Sequence, residues 1–275
     1  MSAGKPLVVL GCGFAGEEAG RLARGEEGQE VIATTRSPAR AEALARAGLE
    51  ARLTGALTAD LVEALVPRGA RVLVAFPPDG VTDAAIAPAL RGASGIVYIS
   101  STAVYGEASG RIDASTPVDP AAPRAAARLA AEDAYRAAGA VILRAAAIYG
   151  PDRGLHIRLA RGEHRLAGSG QAVVSRIHVT DLARIALAAL ARGEPAQTFT
   201  VADDAPVPQR EVIAWLSARL GLPMPPSAPP GELHDTLRHD RAVDGATVQR
   251  ALGLTLRYPS YREGFEAGLR SLSPA

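Results

Sequence analysis

Leu7-Val-Val-Leu10-Gly11-Cys12-Gly13-Phe14-Ala15-Gly16 is the stretch on which the reading of the fold turns. Its first four residues are a continuous apolar run between Pro6 and a glycine cluster, the pattern of a short strand buried on both faces. The six that follow have the spacing G-x-G-x-x-G. One glycine turns the chain, the next lets the backbone approach a pyrophosphate, and the third lets a helix pack closely on the strand. That helix is expected at once, because residues 17–24 keep Ala19, Leu22 and Ala23 on one face and Gly25 and Gly28 end the segment. Its N-terminus presents free N–H groups to an anion. Gly11, Gly13, Phe14, Ala15 and Gly16 are therefore the expected dinucleotide contacts, and a ligand-free tight turn is the alternative.

Further strands are expected at 31–33, 50–53, 71–75, 95–99 and 140–144, with helices at 38–47, 61–66, 82–90 and 121–138 between them. Strand and helix alternating over about 145 residues implies an α/β chain with a doubly wound parallel sheet, a Rossmann domain over residues 1–150. After Gly150-Pro151 the rhythm breaks, and residues 152–175 are polar with no clear period. A helix over 179–191 and a strand over 198–201 rejoin the first domain, so that 176–201 belong with it. The tail carries a helix at 209–220, a proline-rich turn at 223–230, and shorter helices at 246–252 and 261–269. A smaller substrate lobe is expected from two separated segments, 151–175 and 202–275.

The 275 residues are 48% apolar and 21% charged, which excludes a disordered chain. Thirty basic against 29 acidic side chains give a net charge of +1 and no electrostatic reason for nucleic acid or an anionic membrane as partner. Apolar stretches such as 185–191 are too short to span a bilayer, so a soluble protein is expected. The one cysteine, Cys12, cannot form an intrachain disulfide, and no charged-then-apolar leader precedes Lys5-Pro6; a reducing cytoplasm is the expected location. Lys5 is the only lysine, so chemistry needing a titratable amine has almost no candidates.

An NAD-selective site places an acidic residue about twenty positions past the glycines, where it bonds the ribose 2′-hydroxyl. Here that stretch is Ala33-Thr34-Thr35-Arg36-Ser37, with no carboxylate. Arg36 offers a planar fork of donors that matches a phosphate, flanked by the hydroxyls of Thr35 and Ser37, and the expected cofactor is NADP. A solvated loop arginine is the alternative for Arg36.

Four further stretches bring a family into view: Ile99-Ser-Ser-Thr-Ala-Val-Tyr105-Gly106, Leu143-Arg-Ala-Ala-Ala-Ile-Tyr149-Gly-Pro151, Ser175-Arg-Ile-His-Val-Thr-Asp181-Leu, and the tail Arg257-Tyr-Pro-Ser-Tyr-Arg-Glu-Gly264. With the glycine loop they make the chain resemble the extended short-chain dehydrogenase/reductases, in particular the NAD(P)-dependent epimerase/dehydratase group. The resemblance implies that Ser101, with Ser100 or Thr102 as neighbours, hydrogen-bonds a substrate oxygen, and that Tyr149 lies by the nicotinamide end. The hydroxyls have an alternative role in closing a strand end and capping amides. Two readings stand for Tyr105: a hydroxyl presented to substrate, or a packed aromatic with an exposed tip. Arg176 is either a substrate anion contact or a solvated arginine. His178 reads as architectural, and Asp181 as support for the helix start. No metal is expected, since His156, His164, His234 and His239 form no ligand pattern.

The resemblance has one large departure. The family's catalytic pair is Tyr-x-x-x-Lys, and matching Pro120-Ala-Ala-Pro123 and Glu132 to its pattern puts Arg124 at the tyrosine and Arg128 at the lysine. Arg128 keeps a charge able to hold a ribose or phosphate, whereas Arg124 cannot serve as a proton-transfer base. Two functions stand: an NADP-dependent oxidoreductase or epimerase acting on a small polar or sugar-like substrate, with Ser101 and Tyr105 catalytic, or a non-catalytic NADP(H) sensor. The helix at 121–138 is able to pair with its copy, as the resemblance implies, making a homodimer possible; its alanine-rich face is equally able to pack on the sheet.

Overall fold

The computed structural model describes residues 5–229 and 239–270; Pro230, at the end of the expected proline-rich turn, and His234 lie outside them. The chain opens with β1 (Leu7–Leu10), α1 (Phe14–Glu27), β2 (Val31–Thr35), α2 (Pro38–Arg46), β3 (Glu50–Leu53), α3 (Ala59–Leu65), β4 (Arg71–Val74) and α4 (Thr82–Ile86). A 3-10 turn at Ala87–Gly92 leads to β5 (Gly95–Ser101), a second such turn at Thr102–Tyr105, β6 (Gly110–Ile112), α5 (Ala126–Ala137), β7 (Val141–Ala145) and β8 (Ala147–Tyr149). Then come α6 (Leu155–Ala160), β9 (Leu166–Ala167), β10 (Val173–Val174), β11 (Arg176–His178) and α7 (Val179–Arg192). The chain continues with β12 (Thr198–Val201), β13 (Val207–Pro208), α8 (Gln209–Leu220), β14 (Ser227–Ala228), β15 (Arg241–Val243), α9 (Ala246–Leu252) and α10 (Tyr261–Arg270).

Seven parallel strands form the central sheet in the order β12-β7-β5-β4-β1-β2-β3. The apolar run of β1 is buried on both faces: Leu7 and Val9 join the core that holds α1 and α7, while Val8 and Leu10 join the opposite core with α4 and α5. The chain leaves β1 toward β2 and β3, then returns to the other side of β1 as β4. The crevice at the carboxyl ends of β1 and β4 is thus the topological switch point, where open α/β sheets bind ligands.

Two expected helices are shorter than their sequence pattern, and proline is the reason in both. The expected helix at 121–138 begins only at Ala126: Pro123 disfavours helical backbone at Ala122 and breaks the pattern near its start, and 120–125 lie in turns. The expected helix at 82–90 changes to 3-10 geometry at Ala87, with Pro88 in the first turn of the new segment. The stretch at 152–175 holds α6, β9 and β10, elements too short to carry a period. A second, four-stranded sheet, β13-β10-β15-β6, gathers strands from distant parts of the chain. Parallel pairing of β8 with β11 sets Ala147–Tyr149 beside Arg176–His178. Among the described residues no helix is long and apolar enough to cross a membrane.

Candidate functional site

The glycine loop has the geometry its spacing demands. Gly11 sits at φ +76°, and a Cβ there would run into the Phe76 side chain that follows β4. A Cβ on Gly16 would lie 2.8 Å from Val9 Cγ1, so this glycine lets α1 close on the strand. A Cβ on Gly13 would meet nothing within 4 Å; the space above it is open, as backbone approach by a pyrophosphate requires. Gly13 is the N-cap of α1 and no side chain caps that first turn, which leaves the amides at Phe14, Ala15 and Gly16 to face an anion. The residues present therefore fit a dinucleotide. The Thr34 hydroxyl accepts from the Gly11 amide at 2.8 Å and holds the loop against β2.

At the end of β2, Arg36 is exposed. Ser37 caps α2 by accepting from the Arg40 amide at 3.3 Å, and the Thr35 hydroxyl accepts from the Ser37 amide at 3.3 Å. Sequence reading did not single out Arg40, whose Nε donates to the Cys12 carbonyl at 3.4 Å and whose Nη2 pairs with Glu17 at 2.7 Å. The pair offsets the one carboxylate in the first turn of α1, where an anion would approach. Its sequence signal is position: four residues past Arg36, in the first turn of α2. Burial pushes the Cys12 thiol up to about 12, so it stays protonated.

A cavity of about 780 Å³ opens at the carboxyl ends of β4, β5 and β7 and reaches under α6 and α8. Ser100, Ser101, Arg128, Tyr149 and Arg176 line it, so the structure brings these sequence-derived positions together. The Ser101 hydroxyl accepts from the Ala103 amide at 3.2 Å, which leaves its proton for another acceptor. Ser100 is buried and donates to Glu132. Arg128 reaches the Tyr98 hydroxyl at 3.5 Å, and its Nε has no partner among the described residues. Tyr149 is buried against Phe265 and His178, and burial drives its hydroxyl well above the usual phenol range.

Other positions fall elsewhere. Tyr105 is a correction: it is 1% exposed and outside the cavity lining. Its hydroxyl donates to the Asp113 carbonyl at 2.8 Å and accepts from Arg144 at 3.1 Å. Burial raises its pKa despite Arg144, so it is a packed aromatic with its polar end engaged. Thr102 is also outside the lining, and its carbonyl accepts from Arg241 at 3.1 Å. Arg124 is exposed before α5. Arg176 is not a solvated arginine, since it is 5% exposed. His178 caps α7 by accepting from the Thr180 amide at 3.2 Å and stacks on Tyr258. Asp181 does more than support its helix: its two oxygens accept from the amides of Arg257 and Tyr258 at 2.7 and 2.8 Å, fastening the C-terminal segment.

Behind the cavity lies a buried network that sequence reading missed. Glu132 of α5 is fully buried and receives Arg144 of β7 through Nε at 3.1 Å and Nη2 at 2.7 Å. Its only signal is an arginine closing the apolar run Val141-Ile-Leu. Also missed were His164 and Gln209, both 2% exposed and both in the lining.

The family model for the NAD dependent epimerase/dehydratase family matches residues 80–202. A curated protein, 3-diazoavenalumate denitrifying reductase from a Streptomyces species, is 31% identical over 228 residues, 78% of this chain and 70% of that protein. A conserved protein of unknown function from Silicibacter pomeroyi has a solved structure with TM-score 0.84 and 31% identity, covering 97% of this chain and 99% of its own. MoeE5, solved in complex with UDP-glucose and NAD, has TM-score 0.79 at 24% identity, covering 98% and 100%.

Proposed function

The chain belongs to the NAD-dependent epimerase/dehydratase family, and from that premise we propose that it is an NADP-dependent reductase of a small polar or sugar-like carbonyl compound. The observation that carries this reading is that Ser101 and Arg128 both line a cavity lacking the tyrosine and lysine of the usual device. When bound, the nicotinamide supplies hydride.

Ser101 donates a hydrogen bond to the substrate oxygen, and Arg128 stabilises the negative charge that develops there. The serine donates a hydrogen bond rather than giving up its proton, and arginine does not deprotonate usefully, so the pair supports addition of hydride while the proton that the product oxygen takes up comes from water. Oxidation of an alcohol, with which an epimerase cycle begins, needs a base for the hydroxyl proton. Arg124, exposed and outside the lining, is no such base. The reductase activity named for the curated relative supports the same direction. The cofactor is held by the glycine loop, with Arg36 and Arg40 on the ribose-phosphate side and Tyr149 by the nicotinamide end.

The test is NADPH consumption against panels of aldehydes, ketones and nucleotide sugars. Turnover is expected with a carbonyl substrate, falling about a hundredfold in Ser101→Ala and in Arg128→Met. Protein that binds NADPH and turns over no panel member would favour a sensor of NADP(H).

A further inference from the structure

Three side chains of the cavity lining are almost wholly buried, yet each has a polar nitrogen without a partner among the described residues. They are Arg176 Nη1, Gln209 Nε2 and both ring nitrogens of His164. Their exposures are 5%, 2% and 2%. Buried donors are ordinarily paired, because leaving one unmade costs about 1–3 kcal/mol. They come from separate elements: Arg176 from β11, His164 from the segment between α6 and β9, and Gln209 from the first residue of α8. Gln209 is oriented, since its Oε1 accepts from the Ala167 amide at 3.0 Å, which leaves its NH₂ as the unpartnered end. Exposed Arg153, Arg158 and Arg161, together with Arg128, add positive charge to the same lining, against one carboxylate, Asp152.

We propose that Arg176, Gln209 and His164 form a receptor for a carboxylate group of the substrate. The inference rests on the reading of this cavity as the substrate site and narrows the substrate to an acid. Arg176 and Gln209 contribute only N–H donors, which an acceptor-only ligand satisfies. The buried part offers one guanidinium and otherwise neutral donors, a match for a single negative charge; a phosphate dianion would be left with buried charge uncompensated. Asp203 is the local competitor for Arg176. Burial pushes its carboxyl up to about 7, however, so near neutral pH a large share of it is protonated and it cancels the guanidinium only in part.

The experiment is calorimetric titration of the purified protein with matched acids and amides: benzoate and benzamide, phenylacetate and phenylacetamide, hexanoate and hexanamide. Inorganic phosphate and UDP form a second arm. NADPH affinity is measured by cofactor fluorescence in the same samples. At least one acid is expected to bind tenfold or more tighter than its amide, and Arg176→Met to lose at least tenfold of that affinity with NADPH binding unchanged. Because Arg176→Met leaves Asp203 without its cation, His164→Phe and Gln209→Leu carry the same expectation should that variant not fold. Acids binding no better than amides, or retained acid affinity in the variants that fold, overturn the receptor. So does Arg176-dependent binding of phosphate or UDP with no acid binding. Acid binding in a protein that fails to bind NADPH would leave the receptor standing and overturn the reductase reading instead.

Discussion

At the scale of single residues, Gly13 and Tyr105 show what a sequence discloses and what it hides. The glycine spacing is a local device whose reasons all lie within six consecutive residues and the strand before them. It was legible, and the open space over Gly13 matches it. Tyr105 was ambiguous because its partners, Arg144 and the Asp113 carbonyl, arrive through tertiary structure. With that hydroxyl engaged away from the cavity, Tyr105→Phe should cost about 1–2 kcal/mol of stability and leave turnover within about twofold. Denaturant unfolding and steady-state kinetics check both; a hundredfold loss of kcat in a stably folded variant would restore Tyr105 to the chemistry. His164 and Gln209 left no trace in the sequence, since a lone polar residue in an irregular stretch has the same pattern whether it faces solvent or a cavity.

At the scale of elements, α5 is fastened to the sheet by charge as well as by apolar contact. Glu132 takes Arg144 of β7 and Ser100 of β5, and Arg128 lies four residues earlier on the same helix face. The ion pair thereby sets where Arg128 and the Ser100-Ser101 end of β5 stand relative to each other. Removing one partner of a buried pair leaves the other charged and uncompensated, so Glu132→Ala should destabilise the protein by about 3–5 kcal/mol in urea unfolding. A loss under about 1 kcal/mol would mean that water reaches Arg144 and the fastening is nominal. The helix itself was legible from its alanine-rich pattern. Its start was not, because that pattern runs through Pro123, whose backbone demands on the residue before it override the pattern there.

At the scale of the whole molecule, the alternation of strands and helices was enough to read the parallel sheet, while the small sheet β13-β10-β15-β6 was not foreseeable from runs of two or three residues. The buried titratable groups give the fold opposing pH dependences. Burial holds His164 and His178 down at about 4, so they bind fewer protons folded than unfolded, and the stability they allow is lost as pH falls below their ordinary value of 6.5. Asp203 works the other way: with its carboxyl raised from 3.8 to about 7, its contribution is present below 3.8 and lost as pH rises through 7. Arg176, Tyr149, Asp204 and Glu263 are the charged or titratable groups that act on it. Asp203→Asn should therefore gain stability relative to the unmodified protein as pH rises from 4 to 8, by on the order of a few kcal/mol, read as a widening difference in Tm. A difference that stays constant with pH would mean Asp203 titrates normally. The central claim is that this sheet holds NADP(H) through Arg36, and the most direct measurement is the pair of Kd values for NADPH and NADH in the unmodified protein and in Arg36→Ala. A charge-assisted phosphate contact is worth about 1.5–3 kcal/mol, so the unmodified protein should bind NADPH more tightly and Arg36→Ala should lose roughly tenfold or more for NADPH and little for NADH. Equal affinities for the two cofactors in the unmodified protein would contradict it.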